Sequence, residues 1–245
     1  MIKIAVIGAR GRMGQRIIAL AEQDSNLDVT AAIENKGHPC IGKVYNKLNI
    51  SSDSAILQNC DCVIDFSSPS STLFYLKHAL DYMKPLVIGT TGIDKQGIES
   101  INDASRTIPV VFSPNMSIGV NVIFELVKFA ASILKGYKAA ITEAHHVHKK
   151  DVPSGTAKKI AEIINSCGLS IGKDEIKSIR ENEIVGDHAI LFEGDSDTVE
   201  LRHSAKSRDI FAQGALAAAQ WIISKPPGLY SMRDLLLPAK GEDKC

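Results

Sequence analysis

The stretch EAHHVHKKDVPSGTA, residues 143–157, gathers His145, His146, His148, Lys149, Lys150 and Asp151 just ahead of a Pro-Ser-Gly-Thr turn. Three chemistries are open to such a cluster. A metal site is disfavoured, because a strand sends neighbouring histidines to opposite faces. No HExxH spacing or cysteine partner accompanies them, and two lysines repel a cation. A solvated basic surface is the plain alternative. The turn argues for a third reading. Ser154, Gly155 and Thr156 open a helix, and the free N–H groups and hydroxyls of a helix start favour an anion. A small carboxylate held there would lie beside groups able to move protons. Histidine titrates near neutrality, and lysine donates a proton or steadies developing negative charge. The expected chemistry is reduction of a carboxylated substrate, with a proton from His145 or Lys149.

Several elements must position this cluster. YKAAITEAHH reads as a strand running into it. After the turn, Ala157, Ile160, Ala161 and Ile164 recur at helical spacing, with Ser154 placed to cap the helix. SIGVNVIFELVKFAASIL is apolar on nearly every face and is expected to be a buried helix. HAILFEGDSDTVELRHSA reads as two strands joined by a polar turn at Gly194 and Asp195. DIFAQGALAAAQWIIS is a last long helix, broken by KPPG. Boundaries are expected near 116 and 209, with the tail returning to the first domain.

The first half supplies the reductant. IKIAVI, the turn GARGRMG, a helical QRIIALAEQ and the strand DVTAAIE make a strand–turn–helix–strand unit. Gly8 and Gly11 permit a tight turn and close approach of a pyrophosphate, and Gly14 lets the helix pack on the strand. Glu34 ends the second strand, where an acidic side chain accepts from ribose hydroxyls. The spacing is GxxGxxG rather than GxGxxG, so the turn and Glu34 together carry the dinucleotide reading. Three further apolar runs lead into small-residue loops, CDCVIDFSSPSST, KPLVIGTTG and IPVVFSPNMS, of the kind that line a ligand crevice at a parallel sheet's carboxyl edge. The expected fold class is therefore α/β: a Rossmann-like, doubly wound parallel sheet domain plus an α+β domain with a mixed sheet.

The chain of 245 residues has 28 Lys+Arg against 28 Asp+Glu, so a basic excess suited to nucleic acid is absent. Five cysteines without a CxxC pair read as reduced thiols of a cytoplasmic protein. Neither a signal peptide nor a membrane-spanning run of about 20 apolar residues is read.

VIGARGRMG, DFSSPSST, VIGTTG, NMSIGVNV, EAHHVHKKDVPSGTA and MRDLL occur in one order, across essentially the whole chain. In this the sequence resembles the bacterial 4-hydroxy-tetrahydrodipicolinate reductase (dihydrodipicolinate reductase) family. The His/Lys/PSGTA stretch is very specific to that family, whereas the glycine turn is shared by many oxidoreductases. The resemblance implies a tetrameric, two-domain enzyme of the diaminopimelate route to lysine. It would use NADH or NADPH to reduce a small cyclic dicarboxylate. It implies a dinucleotide-binding domain over 1–116 and 209–245, and a substrate-binding and tetramerisation domain over 117–208 whose strands build the tetramer. His145 would donate or accept a proton, with Lys149 as second donor. His146, Gly155 and Thr156 would hold the substrate, with Ser154 beside them. Gly8, Ala9, Arg10, Gly11, Arg12, Met13, Glu34, Gly89, Thr90, Thr91, Ser113, Pro114, Asn115 and Met116 would line the dinucleotide.

Two departures stand out. Some members carry Arg immediately after the ribose-binding Glu; here Asn35 and Lys36 follow Glu34, which points to NADH preference or dual use. The stretch between the PSGT helix and VGDHAILFEG is also short for the family, which bears on the loop before residue 185. Two alternatives compete: a non-catalytic dinucleotide sensor, which has no need of the His/Lys cluster, and another oxidoreductase of a small carboxylated imine or amino acid.

Overall fold

The computed structural model describes residues 1–237; Cys245 and the end of the 209–245 segment lie outside the described residues. The chain divides into two compact units, Met1–Ser117 with the chain from Asp209 onward, and Ile118–Arg208.

The first unit begins with β1 (Ile2–Ile7), α1 (Arg12–Ala21) and β2 (Leu27–Ile33). A small hairpin follows, β3 (Val44–Tyr45) and β4 (Leu48–Ser51), then a short 3₁₀ turn and β5 (Cys62–Asp65). Next come α2 (Pro69–Asp81), β6 (Leu86–Ile88), α3 (Lys95–Ser105) and β7 (Pro109–Phe112). The second unit contains α4 (Ile118–Ile133), β8 (Lys138–His145), α5 (Gly155–Ser166), β9 (Ile176–Arg180), β10 (Gly186–Glu193) and β11 (Thr198–Ala205). The chain then rejoins the first unit as α6 (Asp209–Ile222), β12 (Gly228–Tyr230) and α7 (Met232–Leu236).

In the first unit the sheet order is β12-β7-β6-β5-β1-β2-β4-β3. Every pairing is parallel except the β3–β4 hairpin. β5, β6 and most of β1 are buried on both faces, which is why they read as unbroken apolar runs rather than alternating ones. Ile17 and Ile18 of α1 join Ala212, Ala215 and Ala219 of α6 on one face. Tyr75 and Leu76 of α2 and Ile101 of α3 cover the other. Each such Ile or Leu contributes about 1.5–3 kcal/mol by leaving water. Chain order reverses at β1, which lies between β2 and β5, so the crevice suited to a ligand opens at the carboxyl ends of β1 and β5. Gly228–Tyr230 pairs with Pro109–Val111 at the edge of this sheet.

The second unit has a mixed four-stranded sheet, β11-β10-β8-β9, in which β10 is antiparallel to both neighbours and β9 is parallel to β8. Ile123, Val127 and Ala131 of α4, with Ile160 and Ile164 of α5, pack on Ile141, Ile190 and Phe192. By strand alternation Ala140, Thr142, Ala144, Ala189 and Leu191 point to the opposite face, which no helix of this unit covers. The expectation that α4 is a buried helix needs correction, because only one of its faces is buried. Ile118, Val122, Leu126, Phe129 and Ile133 form an exposed stripe, with Phe129 at 66% exposure. Apolar residues on all faces signal burial, but a helix lying on one layer can bury only the side that meets it.

Candidate active site

The His/Lys cluster is built at the end of β8. Glu143 and His145 sit two residues apart on one strand and therefore share a face, the face turned toward α5. Glu143 is fully buried and His145 is 7% exposed. His145 Nδ1 is hydrogen-bonded to Glu143 Oε2. Arg180, beside His145 on the parallel neighbour β9, forks onto the same carboxylate, with Nη1 to Oε2 at 3.1 Å and Nη2 to Oε1 at 2.9 Å. It also donates to the carbonyls of Asp151 (2.6 Å) and Lys149 (3.3 Å). Burial alone would raise the Glu143 carboxyl, but the hydrogen bonds from Arg180 and His145 hold it below its ordinary value. An ionised carboxylate only accepts. His145 Nδ1 therefore carries the hydrogen, and Nε2 is left for other chemistry. Burial lowers the His145 pKa from 6.5 against the opposing pull of Glu143.

His188 faces Glu143 from β10. Its ring stands edge-on to that of His145, 5.2 Å away, and its Nε2 lies 3.3 Å from Ser154 Oγ. Burial, then the charge of His145, push His188 down to about 4, so it is neutral near pH 7. Ser154 caps α5 as expected: its Oγ accepts from Ala157 N at 3.2 Å, while its own N–H donates to Glu143 Oε1 at 3.3 Å. Lys149 Nζ meets Asp151 Oδ1 at 2.8 Å. His146 lies beyond the strand, its N–H bonded to Ile184 O and its ring 6.1 Å from that of His148. Gly155 is exposed and Thr156 half-buried in the first turn of α5. Thus one unit gathers His145, Lys149 and Ser154 through Glu143 and Arg180. Among the described residues, no group of three or more His, Cys, Asp or Glu is arranged to hold a metal ion, and no helix is long and apolar enough to cross a membrane.

The dinucleotide features lie in the first unit. Gly8 has φ +76°, and a side chain there would strike the Phe66 carbonyl that follows β5. A Cβ on Gly14 would collide with the carbonyl of Gly8, whereas one on Gly11 would sit 3.1 Å from it. Gly11 caps α1 without a side-chain hydrogen bond, so the first N–H groups of that ten-residue helix remain for an anion. Glu34 Oε1 accepts from Arg10 N at 2.7 Å, while Oε2 receives only a 3.4 Å bond from Asn35 N and keeps acceptor capacity. The Arg10 guanidinium lies 4.3 Å over the ring of Tyr45. Arg12 is exposed and Met13 half-buried at the start of α1.

At the neighbouring loops Gly89 lies under the Phe66 ring, Thr90 Oγ1 accepts from Ser67 N at 3.0 Å, and Thr91 is exposed. Ser113 Oγ donates to the Asn115 carbonyl at 2.9 Å, and Pro114 is exposed. The Ala9 and Met116 side chains are sealed in the core. These two positions offer a ligand only main-chain groups, because helix packing has claimed the side chains.

Asp65, at the end of β5, went unread as a distinct group in the sequence. It is buried beside Ser67 Oγ (2.5 Å), and burial pushes its carboxyl up to about 6, against hydrogen bonds from Ser67, Thr72 and Thr90. A carboxyl raised on folding contributes stability that is present below pH 3.8 and lost as pH rises through about 6. Asp65→Asn should flatten that slope, worth about 3 kcal/mol, in urea melts recorded between pH 4 and 7.

The profile described as "Dihydrodipicolinate reductase, N-terminus" matches residues 2–116, and the one described as "Dihydrodipicolinate reductase, C-terminus" matches residues 119–236. The chain belongs to the dihydrodipicolinate reductase family. Membership makes it an NAD(P)H-dependent oxidoreductase whose N-terminal domain is the dinucleotide-binding one. The 4-hydroxy-tetrahydrodipicolinate reductase of Aquifex aeolicus is 41% identical, covering 96% of this chain and 98% of its own. That of Citrifermentans bemidjiense is 38% identical, covering 96% and 99%. The dipicolinate-bound dihydrodipicolinate reductase of Paenisporosarcina sp. TG-14 shares the fold, with TM-score 0.81 at 22% identity over 94% of this chain and 97% of that one. Within this reductase, Arg180, His188 and Tyr45 escaped the sequence reading. β9 and the β3–β4 hairpin have no clear alternation, and His188 sits with Asp187 at the polar start of an otherwise apolar strand. Glu143 opened the motif but had no visible partner.

Proposed function

We propose that the protein reduces 4-hydroxy-tetrahydrodipicolinate to tetrahydrodipicolinate with NADH or NADPH, in the diaminopimelate route to lysine. The observation that carries this reading is the hydrogen-bonded set Glu143–His145–Arg180 at the mouth of α5, with Ser154 as its cap and Lys149 in the same loop. The net reaction replaces the ring hydroxyl by hydrogen. Loss of water leaves a conjugated imine, hydride adds to the carbon that bore the hydroxyl, and the electron pair moves to the neighbouring carbon, which takes a proton. The coenzyme supplies the hydride when bound.

His145, through Nε2, supplies the proton to that carbon, and Lys149 steadies the negative charge that builds before it arrives. Substrate carboxylates are held by the N–H groups of Gly155 and Thr156 and by His146, with Ser154 keeping the helix start in place. The start of α1, which has no side-chain cap hydrogen bond, and the remaining acceptor capacity of Glu34 fit a pyrophosphate and a ribose. Gly8–Met13, Glu34, Gly89–Thr91 and Ser113–Met116 would hold the dinucleotide. Glu34→Ala should raise the NADH dissociation constant about 10–10²-fold, the share of hydrogen bonds to a charged acceptor, as read by titration of NADH fluorescence.

With Asn35 after Glu34, NADH is used as well as or better than NADPH. The deciding experiment is a coupled assay that generates the cyclic substrate and follows NADH and NADPH oxidation separately. Coenzyme binding without turnover would instead support a sensor, and oxidation of an amino acid another dehydrogenase. The proposed assembly is a cytoplasmic homotetramer, joined through the uncovered sheet face around Ala140, Ala189 and Leu191. Leu191→Lys should lower the mass seen by light scattering without changing the NADH affinity.

A further inference from the structure

We infer that Arg180 and Glu143 form a positioning unit that sets the working atoms of the proton donor His145 and of the charge-steadying Lys149. The inference rests on the proton-donor reading above and adds residues which that reading does not contain. Glu143 makes four hydrogen bonds to three residues of the site, two of them to Arg180. Its Oε2 holds His145 Nδ1 and receives Arg180 Nη1, and its Oε1 receives Arg180 Nη2 and the Ser154 N–H. A fully buried carboxylate so occupied has one orientation. His145 is fixed in one tautomer with Nε2 outward, and the start of α5 is fixed relative to that ring. Arg180 adds the other half. The guanidinium that grips Glu143 also donates to the Lys149 and Asp151 carbonyls, so it pins the main chain that carries the ammonium. A planar fork reaches a carboxylate and two carbonyls at once, and a lysine in its place does not.

The charged and titratable groups facing the His145 ring are Glu143 on its own strand, Arg180 on β9, His188 on β10 and Lys149 in the following loop, itself paired with Asp151. Among the described residues Glu143 is the anion in contact with the ring, so its charge supports the imidazolium. Removing that charge at constant shape lowers the His145 pKa.

The test uses the full-length protein in the coupled assay. Glu143→Gln should lower kcat about 10–10²-fold while the KM for NADH stays within about twofold. It should also move the alkaline limb of kcat/KM to lower pH by about one unit or more, the size expected for an adjacent opposite charge. The His145 C2 proton resonance, titrated by NMR, should move in the same direction. Glu143→Asp, which restores the charge, should bring the limb back toward wild type. A merely structural role would reduce the amplitude and leave both pH readouts where they were, and that result overturns the inference. Arg180→Lys serves if Glu143→Gln does not fold. It should lower kcat about tenfold and raise the substrate KM, and wild-type kinetics in that variant would overturn the arginine's part. His145→Ala separates the two levels. If it retains full turnover, the proton-donor reading falls and takes this unit with it. If it loses turnover while Glu143→Gln keeps both rate and pH limb, only the positioning unit falls.

Discussion

His145→Ala lowers turnover about 10²–10⁴-fold, the usual share of a positioned general acid, with NADH affinity little changed. Lys149→Ala is expected in the same range. The effect is large because Nε2 is held ready: Nδ1 is committed to Glu143, and the residue is 7% exposed. Water that fills an alanine cavity has no fixed proton. The pH dependence follows from the lowered His145 pKa. A general acid works while protonated, so kcat/KM falls as pH rises through a value below the ordinary 6.5. In His145→Ala that limb disappears from the profile. Stopped-flow rates with either coenzyme, beside fluorescence titration of NADH, check this. Equal losses of rate and of NADH binding would move both residues out of the substrate role.

Gly14→Ala should all but abolish dinucleotide binding, with a dissociation constant raised 10²-fold or more. The added methyl would collide with the carbonyl of Gly8 and crowd Ala9 Cα at 2.7 Å. Both are main-chain atoms of the phosphate turn, so relief comes only by moving the turn or lifting α1 from β1. Overpacking of this kind costs about 1–3 kcal/mol of stability. The larger loss falls on binding, because helix start and turn must present their N–H groups together. Gly11→Ala is the internal control. Its Cβ lies 3.1 Å from the Gly8 carbonyl and asks only for a few tenths of an ångström, so its effect on binding should be about tenfold smaller. Equal affinities in the two variants would show that helix packing at Gly14 does not govern the turn. Calorimetric titration with NADH and thermal melts of both proteins give the comparison.

Much of this molecule was legible before any coordinates. IKIAVI, with its glycine turn and Glu34, announced the dinucleotide unit because short-range constraints act there: a φ of +76° at Gly8, close packing at Gly14, and a two-sided buried strand. Ser154 was readable as a cap because a cap is a local hydrogen bond, here to Ala157 N. α4 was misread as buried. Its composition records how apolar it is, but not which of its faces a neighbour reaches.

The sequence by itself determined the family, the alternation of strand and helix, and the residue types available for proton transfer. Each of these depends on patterns a few residues long, or on a motif such as EAHHVHKKDVPSGTA that is contiguous. Only the tertiary structure decided how those residues are held. Arg180 reaches Glu143 across 37 positions because β9 lies parallel to β8, and His188 joins them because β10 pairs with β8 in antiparallel register. Strand register is a long-range outcome of burying one face of a sheet. No local pattern around Glu143 specifies which cation will meet it.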